Sequence, residues 1–327
     1  MAKATRGQRL LLIALLTIAL MAPPVLLGIS GQFGLASAFA YGGVIAVSAV
    51  FYDARLAVAL SLLSGVSGAV AALLNPHPVA GAVFFGLFTG ACALAAKRGL
   101  HSPVLMVPIF ISFILAAPPQ VQGVSPTPAA FITGAVLALG GLWGTASARL
   151  LLGKPRTQIE RQALSTRATV AYAILMGLLL GVATWAVLTY AKFHQGAWLL
   201  LTLIVVLQPS PHDTFVKSLQ RLGGTLLGGL IALALILANV HATLALVIGG
   251  ALLFGALAVR YVEKRPYWEY ITVLTPAVIL LNAPGLDAMR VAEDRVVFTV
   301  IATVIGLVIA LAIKGVLVWK APAREST

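Results

Sequence analysis

Residues 196–232, GAWLLLTLIVVLQPSPHDTFVKSLQRLGGTLLGGLIA, decide how this chain is read. A Gln208-Pro209-Ser210-Pro211 break and a Lys217, Arg221, Thr225 stripe stand between two strongly apolar runs. Irregular backbone and charge are both costly at membrane depth, so their coincidence points to a polar cavity or to a membrane boundary.

Working outward, the rest of the chain is apolar. Hydrophobic residues make up 60% of it and charged residues 9%, and the mean hydropathy is +1.02. Soluble domains carry about 25% charged residues, so that class is excluded. Twelve apolar stretches lie near 10–28, 34–51, 56–74, 79–96, 103–117, 129–152, 168–190, 196–207, 214–238, 241–259, 268–282 and 291–318. Several are shorter than the roughly 20 residues of a perpendicular span. The expected fold is an all-α polytopic membrane protein of about twelve transmembrane helices. The first run continues through Met21-Ala22-Pro23-Pro24 to Leu27, longer than the core of a secretion signal, and is read as a span.

If both ends are cytoplasmic, every basic residue except Lys192, Arg290 and Arg295 falls on the inner side of this topology. That asymmetry follows the positive-inside rule. The net charge of +13 is then attraction to the anionic inner leaflet of the lipid bilayer and calls for no nucleic acid. Cys92 is the single cysteine, which excludes an intramolecular disulfide and any multi-cysteine metal site. His194, His212 and His241 stand at span ends without metal-ligand partners, so no metal and no cofactor is expected.

A shift of 160 residues pairs Asp53 with Asp213, Ser64 with Gly224, Gly68 with Gly228, Ala69 with Gly229 and Ala72 with Ala232. A shift of 166 pairs Ala117-Pro118 with Ala283-Pro284, Thr133 with Thr299 and Gly140 with Gly306. Together with the span count this suggests two parallel six-helix repeats, 1–152 and 167–327, with a shared pathway between them. The segment 153–166, GKPRTQIERQALST, is the cytoplasmic linker. The spacings Gly86/Gly90, Gly140/Gly144, Gly177/Gly181 and Gly224/Gly228 read as close helix packing.

In the opening stretch Ser210 can cap a helix, Pro211 suits its first position, and Asp213 resembles the far member of a capping box. The start of that helix carries a partial positive charge that attracts anions. Thr214, Lys217, Arg221, Thr225 and Gly228 follow at three- and four-residue steps, one face along which a carboxylate can pass. The ordinary alternative is that Lys217 and Arg221 snorkel to the cytoplasmic surface. Against it, Arg221 directly precedes Gly223-Gly224, small residues that leave room beside a guanidinium, and the aligned residue in the first half is Ser61.

A second cluster, Asp287, Arg290, Glu293, Asp294 and Arg295, opens the last span. It reads as a solvated helix start in which Arg295, bordering Val296-Val297-Phe298, is the member expected to turn into a cavity; its counterpart in the first half is Ala129. Glu269 stands beside Tyr267, Trp268 and Tyr270, rings that suit an interfacial belt. A partly desolvated carboxyl there would have a raised pKa and could carry protons, as could Asp213 at the helix start. Trp198 stacks on an aromatic ring or anchors a span end, and Gln208 lines the break. The chain has no GxxxxGK[ST], HExxH or GxSxG, which removes ATP hydrolysis by that route and the commonest hydrolase chemistries. No enzymatic activity is expected.

The run from Trp198 to Gln208-Pro209-Ser210, followed by Arg221-Leu222-Gly223-Gly224-Thr225-Leu226-Leu227-Gly228, resembles the signature of the fusaric acid resistance family of bacterial inner-membrane exporters. Arg295 to Thr299 and Gly306 resemble that family's second arginine-led helix. The likeness covers residues 167–319 and is only architectural before them. It implies efflux of aromatic or other hydrophobic organic acids, beside a periplasmic adaptor of the membrane-fusion type, with Arg221, Thr225, Gly228 and Arg295 carried over by position. The large cytoplasmic domain of many members and a first-half arginine motif are both missing here. The expected function is thus a gradient-driven inner-membrane secondary transporter of organic anions. A passive anion channel of the same architecture and a non-transporting scaffold subunit are the alternatives, and assembly as a homo-oligomer stays open.

Overall fold

The computed structural model describes residues 5–153, 163–190, 196–238, 242–261, 263, 265–282 and 287–319. Among them are twelve α-helices and no strand: α1 (Arg6–Ile29), α2 (Phe33–Val50), α3 (Ala54–Leu74), α4 (Pro78–Ala93), α5 (His101–Ala116), α6 (Pro126–Leu152), α7 (Thr166–Tyr190), α8 (Gly196–Val206), α9 (Pro211–Leu237), α10 (Ala242–Tyr261), α11 (Tyr267–Asn282) and α12 (Asp287–Trp319). Each follows one of the twelve apolar stretches. Local chemistry sets the starts. Thr5 and Gln8 form a reciprocal capping box on α1, the Asp53 carboxylate accepts the Arg55 amide at 2.7 Å to open α3, and Pro78 and Pro126 stand in the first turns of α4 and α6.

Length and composition mark eight of the twelve described helices as full spans, whereas His101–Ala116, Gly196–Val206, Val247–Arg260 and Tyr267–Leu280 are shorter apolar segments. The 11 residues of α8 extend about 16 Å at 1.5 Å each, roughly half of a 30 Å hydrocarbon core. Pro209 accounts for its early end, because the residue before a proline is steered away from helical geometry. Outward-facing side chains such as Leu26, Leu87, Leu178, Leu230 and Val308 are exposed along the helices. Apolar surface on this scale is normal against lipid and untenable in water, and the chain is a multi-pass membrane protein.

The helices gather into two compact units, residues 1–201 and 202–327. In the first, α2 and α3 pack on α6, α3 also on α5, and α4 on α7. The α4–α7 contact is backbone to backbone: a methyl group on Gly86 would stand 2.7 Å from the Gly177 carbonyl oxygen. In the second, α9 packs on α11 and α12, and α10 on α11. The packing boundary between Leu201 and Thr202 differs from the linker at 153–166, because α7 joins α4 in the first unit. Residues 154–162 of that linker, together with Lys192, His194, His241, Lys264, Lys320 and Arg324, lie outside the described residues.

Candidate functional site

The break at residues 208–211 is a closed turn. Gln208 donates its backbone N–H to Thr214 Oγ1 at 2.9 Å, and the Thr214 hydroxyl donates back to the Gln208 carbonyl at 3.1 Å. The Gln208 side-chain amide donates to the Val205 carbonyl at 2.8 Å, satisfying the end of α8. Ser210 Oγ accepts the Asp213 amide at 3.4 Å, which is one half of a capping box. Helix α9 therefore starts at a fixed place, and that fixes which face is buried.

The buried face runs Thr214, Ser218, Arg221, Gly224, Thr225, Gly228, Gly229, Ala232, the three- and four-residue rhythm of one helical stripe. Arg221 lies on it with 4% of its surface exposed. It does not snorkel. Its Nη1 donates to the Tyr267 hydroxyl of α11 at 3.1 Å, while its Nε finds no hydrogen-bond partner among the described residues. Lys217 flanks the stripe, half-buried, with Nζ 4.8 Å from the centre of the same Tyr267 ring. Asp213 and Arg260, both exposed, are within electrostatic range of Lys217.

Gly224 and Gly228 bring α11 against this face. A methyl group on Gly228 would stand 2.7 Å from both the Thr272 carbonyl oxygen and Thr275 Cβ. Their surface is filled by α11, so these glycines serve helix packing; the open position is Gly223, where an added methyl group would meet nothing within 4 Å. The pairs Arg221 with Tyr267 and Gly228 with Thr275 set α9 and α11 parallel.

Arg295, on α12, is 2% exposed. Ser218 stands opposite Gly306, and Gly229 opposite Val296, so α12 runs antiparallel to α9. Arg295 is thus level with Gly229, eight residues or about 12 Å along the axis from Arg221, and it still lies within electrostatic range of Arg221, Tyr267 and Tyr270. Thr299 and Thr303 follow one and two turns on, both buried. The hydroxyls of Ser218, Thr225, Thr275 and Thr303 are buried with no hydrogen-bond partner among the described residues. An unpaired buried hydroxyl costs about 1–3 kcal/mol, so these four, on α9, α11 and α12, have hydrogen bonds to offer a polar guest that reaches them.

The second unit therefore brings together Lys217, Arg221, Thr225 and Gly228 on α9 with Arg295 on α12. Gln208 ends α8 nearby in sequence but spends its side chain on that helix. Trp198 belongs to the first unit, edge-on to Phe113 with ring centres 4.9 Å apart. Asp213 is exposed and Glu269 half-buried in the first turn of α11. In the charge cluster of α12, Glu293 is exposed and Asp294 half-buried; the side chains of Asp287 and Arg290 lie outside the described residues. No group of three or more potential metal ligands occurs among the described residues.

Tyr267 is the participant that sequence reasoning assigned elsewhere, to an interfacial belt. Ser218 and Thr303 had a visible signal, since each falls at helical spacing from an arginine already singled out. Tyr267 had none, because 46 residues separate it from Arg221.

Comparison with known proteins bears on the same region. A family model described as Fusaric acid resistance protein-like matches residues 182–309, a segment that contains both buried arginines. No curated protein and no solved structure matches the chain.

Proposed function

We propose that this fusaric acid resistance-like chain is a secondary transporter of the bacterial inner membrane that exports aromatic or hydrophobic organic acids as anions, driven by an ion gradient. One observation carries the reading: Arg221 is almost wholly buried in an apolar helical unit, answered by a neutral phenol and with a guanidinium N–H still to give. A buried cation with spare donors is the natural partner of a carboxylate, which takes two parallel N–H bonds from an arginine.

In this account Lys217 attracts the anion at the inner mouth, Arg221 receives its carboxylate, and Arg295 takes it over about 12 Å further along. The hydroxyls of Thr225 and Thr275 give the guest hydrogen bonds between the levels of the two arginines, and those of Ser218 and Thr303 do so nearer the Arg221 end. Glu269 is the proton carrier and Asp213 the weaker candidate for that role. We further infer twelve membrane passages in two six-helix repeats, 1–152 and 167–327, with both termini cytoplasmic. The parallel arrangement of contacts supports it: α3 packs on α5 and α6, as α9 packs on α11 and α12. A periplasmic adaptor would carry the exported acid onward.

The test is uptake of a panel of aromatic carboxylates into inverted membrane vesicles carrying the chain, with and without a proton gradient. Gradient-dependent accumulation of acids, absent from vesicles lacking the chain, supports the proposal. Uptake indifferent to the gradient, with ionic currents far above carrier turnover, makes the protein a channel; no uptake of any acid leaves the scaffold reading.

A further inference from the structure

We propose that Tyr267 is a latch on the anion site, a built-in competitor whose phenol holds Arg221 and Lys217 until a carboxylate displaces it. The inference rests on the anion reading of Arg221 given above and adds to it the residue that sets the affinity. Both cations of the α9 face meet one side chain: Arg221 donates to its hydroxyl at 3.1 Å, and Lys217 Nζ lies 4.8 Å from its ring centre. A phenol offers an oxygen to the guanidinium and a π face to the ammonium, the same two features that an aromatic acid offers. The phenol is neutral, however, and a carboxylate makes hydrogen bonds roughly twice as strong. The acid therefore wins the exchange, at a reduced net affinity.

The position suits a latch. Tyr267 is half-buried, beside the exposed Trp268, while the guanidinium behind it is almost fully enclosed. Tyr267 is the first residue of α11, immediately after Pro266, where the amides of Glu269 and Tyr270 reach the Pro266 carbonyl only at 3.2 and 3.5 Å. A side chain on so loose a turn can swing without breaking the helix. The Tyr270 ring, 6.0 Å away and tilted, offers it a second resting place. Arg221 keeps Nε buried and without a partner among the described residues, and once the phenol gives up Nη1 the end-on fork of Nη1 and Nη2 is also open to a bidentate carboxylate.

The experiment is equilibrium binding of radiolabelled benzoate to the full chain purified in detergent, for the parent, Tyr267→Phe, Arg221→Ala and the double variant. Tyr267→Phe keeps the ring and removes the competing oxygen, so benzoate should bind about 10-fold tighter or more, the value of one hydrogen bond from a charged donor. The gain should vanish on the Arg221→Ala background. Unchanged or weaker binding by Tyr267→Phe, with Arg221→Ala still defective, overturns the latch and leaves the anion site standing. Undiminished binding by Arg221→Ala overturns the anion site itself. If Tyr267→Phe is not monodisperse, Tyr267→Leu also removes the oxygen and must show the same gain. A gain seen for phosphatidylglycerol micelles and not for benzoate refutes the proposal, because the withheld ligand is then a headgroup phosphate.

Discussion

Two glycines five residues apart on α9 should respond to the same substitution with opposite signs. At Gly223 an added methyl group meets nothing within 4 Å, and alanine in a helix interior is favoured over glycine by about 1 kcal/mol. Gly223→Ala should therefore stabilise by roughly that amount. At Gly228 the methyl group would stand 2.7 Å from the Thr272 carbonyl oxygen and from Thr275 Cβ, and 3.1 Å from the Pro276 ring. Ordinary contact begins near 3.4 Å, so α11 must retreat by several tenths of an ångström. It has no flexible side-chain end to yield, because the closest atoms are a backbone carbonyl, a Cβ fixed to its own backbone and a proline ring. Overpacking of this kind costs about 1–3 kcal/mol, and the rigidity of the neighbours puts Gly228→Ala at the upper end, roughly 2 kcal/mol destabilising after the helix-propensity gain. Thermal unfolding of the purified variants in one detergent, followed by loss of helical circular dichroism, should separate the pair by several degrees, with the parent between them. Equal shifts, or a Gly228→Ala protein as stable as Gly223→Ala, would refute the close parallel packing of α9 on α11 from which the site is built.

Other expectations follow from the same contacts. Thr214→Val removes both hydrogen bonds that close the α8–α9 turn and should cost about 1–3 kcal/mol in the same unfolding assay, since it orphans a backbone N–H. Glu269→Gln should leave benzoate binding to the purified protein unchanged while abolishing the response of vesicle uptake to a proton gradient; a normal response removes Glu269 as proton carrier. Arg295→Gln should slow vesicle uptake at saturating substrate by about tenfold or more while changing the half-saturating concentration little, because in this account Arg295 acts after Arg221 has bound the acid; the reverse pattern would place Arg295 at the entry.

The helices were legible in the sequence because each falls on one of the twelve apolar stretches. The Ser210-Pro211 start of α9 acts within one turn and was legible too; Thr5 with Gln8, Asp53, and the prolines in the first turns of α4 and α6 act in the same local way. The buried stripe of α9 was legible for a related reason, since helical spacing brings Thr214, Arg221, Thr225 and Gly228 to one side. What spacing could not supply was the neighbour. Gly223-Gly224 reads as room beside a guanidinium, but α11 fills Gly224, and only Gly223 stays open. Trp198 is close to the stripe in sequence, yet its ring contact is with Phe113 in the first unit. Tyr267 was hidden for the opposite reason: its ring is an ordinary membrane anchor until α11 is laid parallel to α9, which brings its hydroxyl to Arg221. Long-range pairings of this kind are set by which helices pack, and small-residue spacings allow many partners while naming none.

The claim beneath all of this is that the Arg221 guanidinium is kept under cover to bind a carboxylate. Initial rates of benzoate uptake into inverted vesicles, for the parent, Arg221→Lys and Arg221→Gln at matched protein levels, test it most directly. A lost charge-assisted pair is worth about 1.5–3 kcal/mol, so Arg221→Gln should fall by about 10- to 100-fold, with Arg221→Lys between it and the parent and the folded yield of all three alike. Uptake by Arg221→Gln at the parent rate would contradict the account.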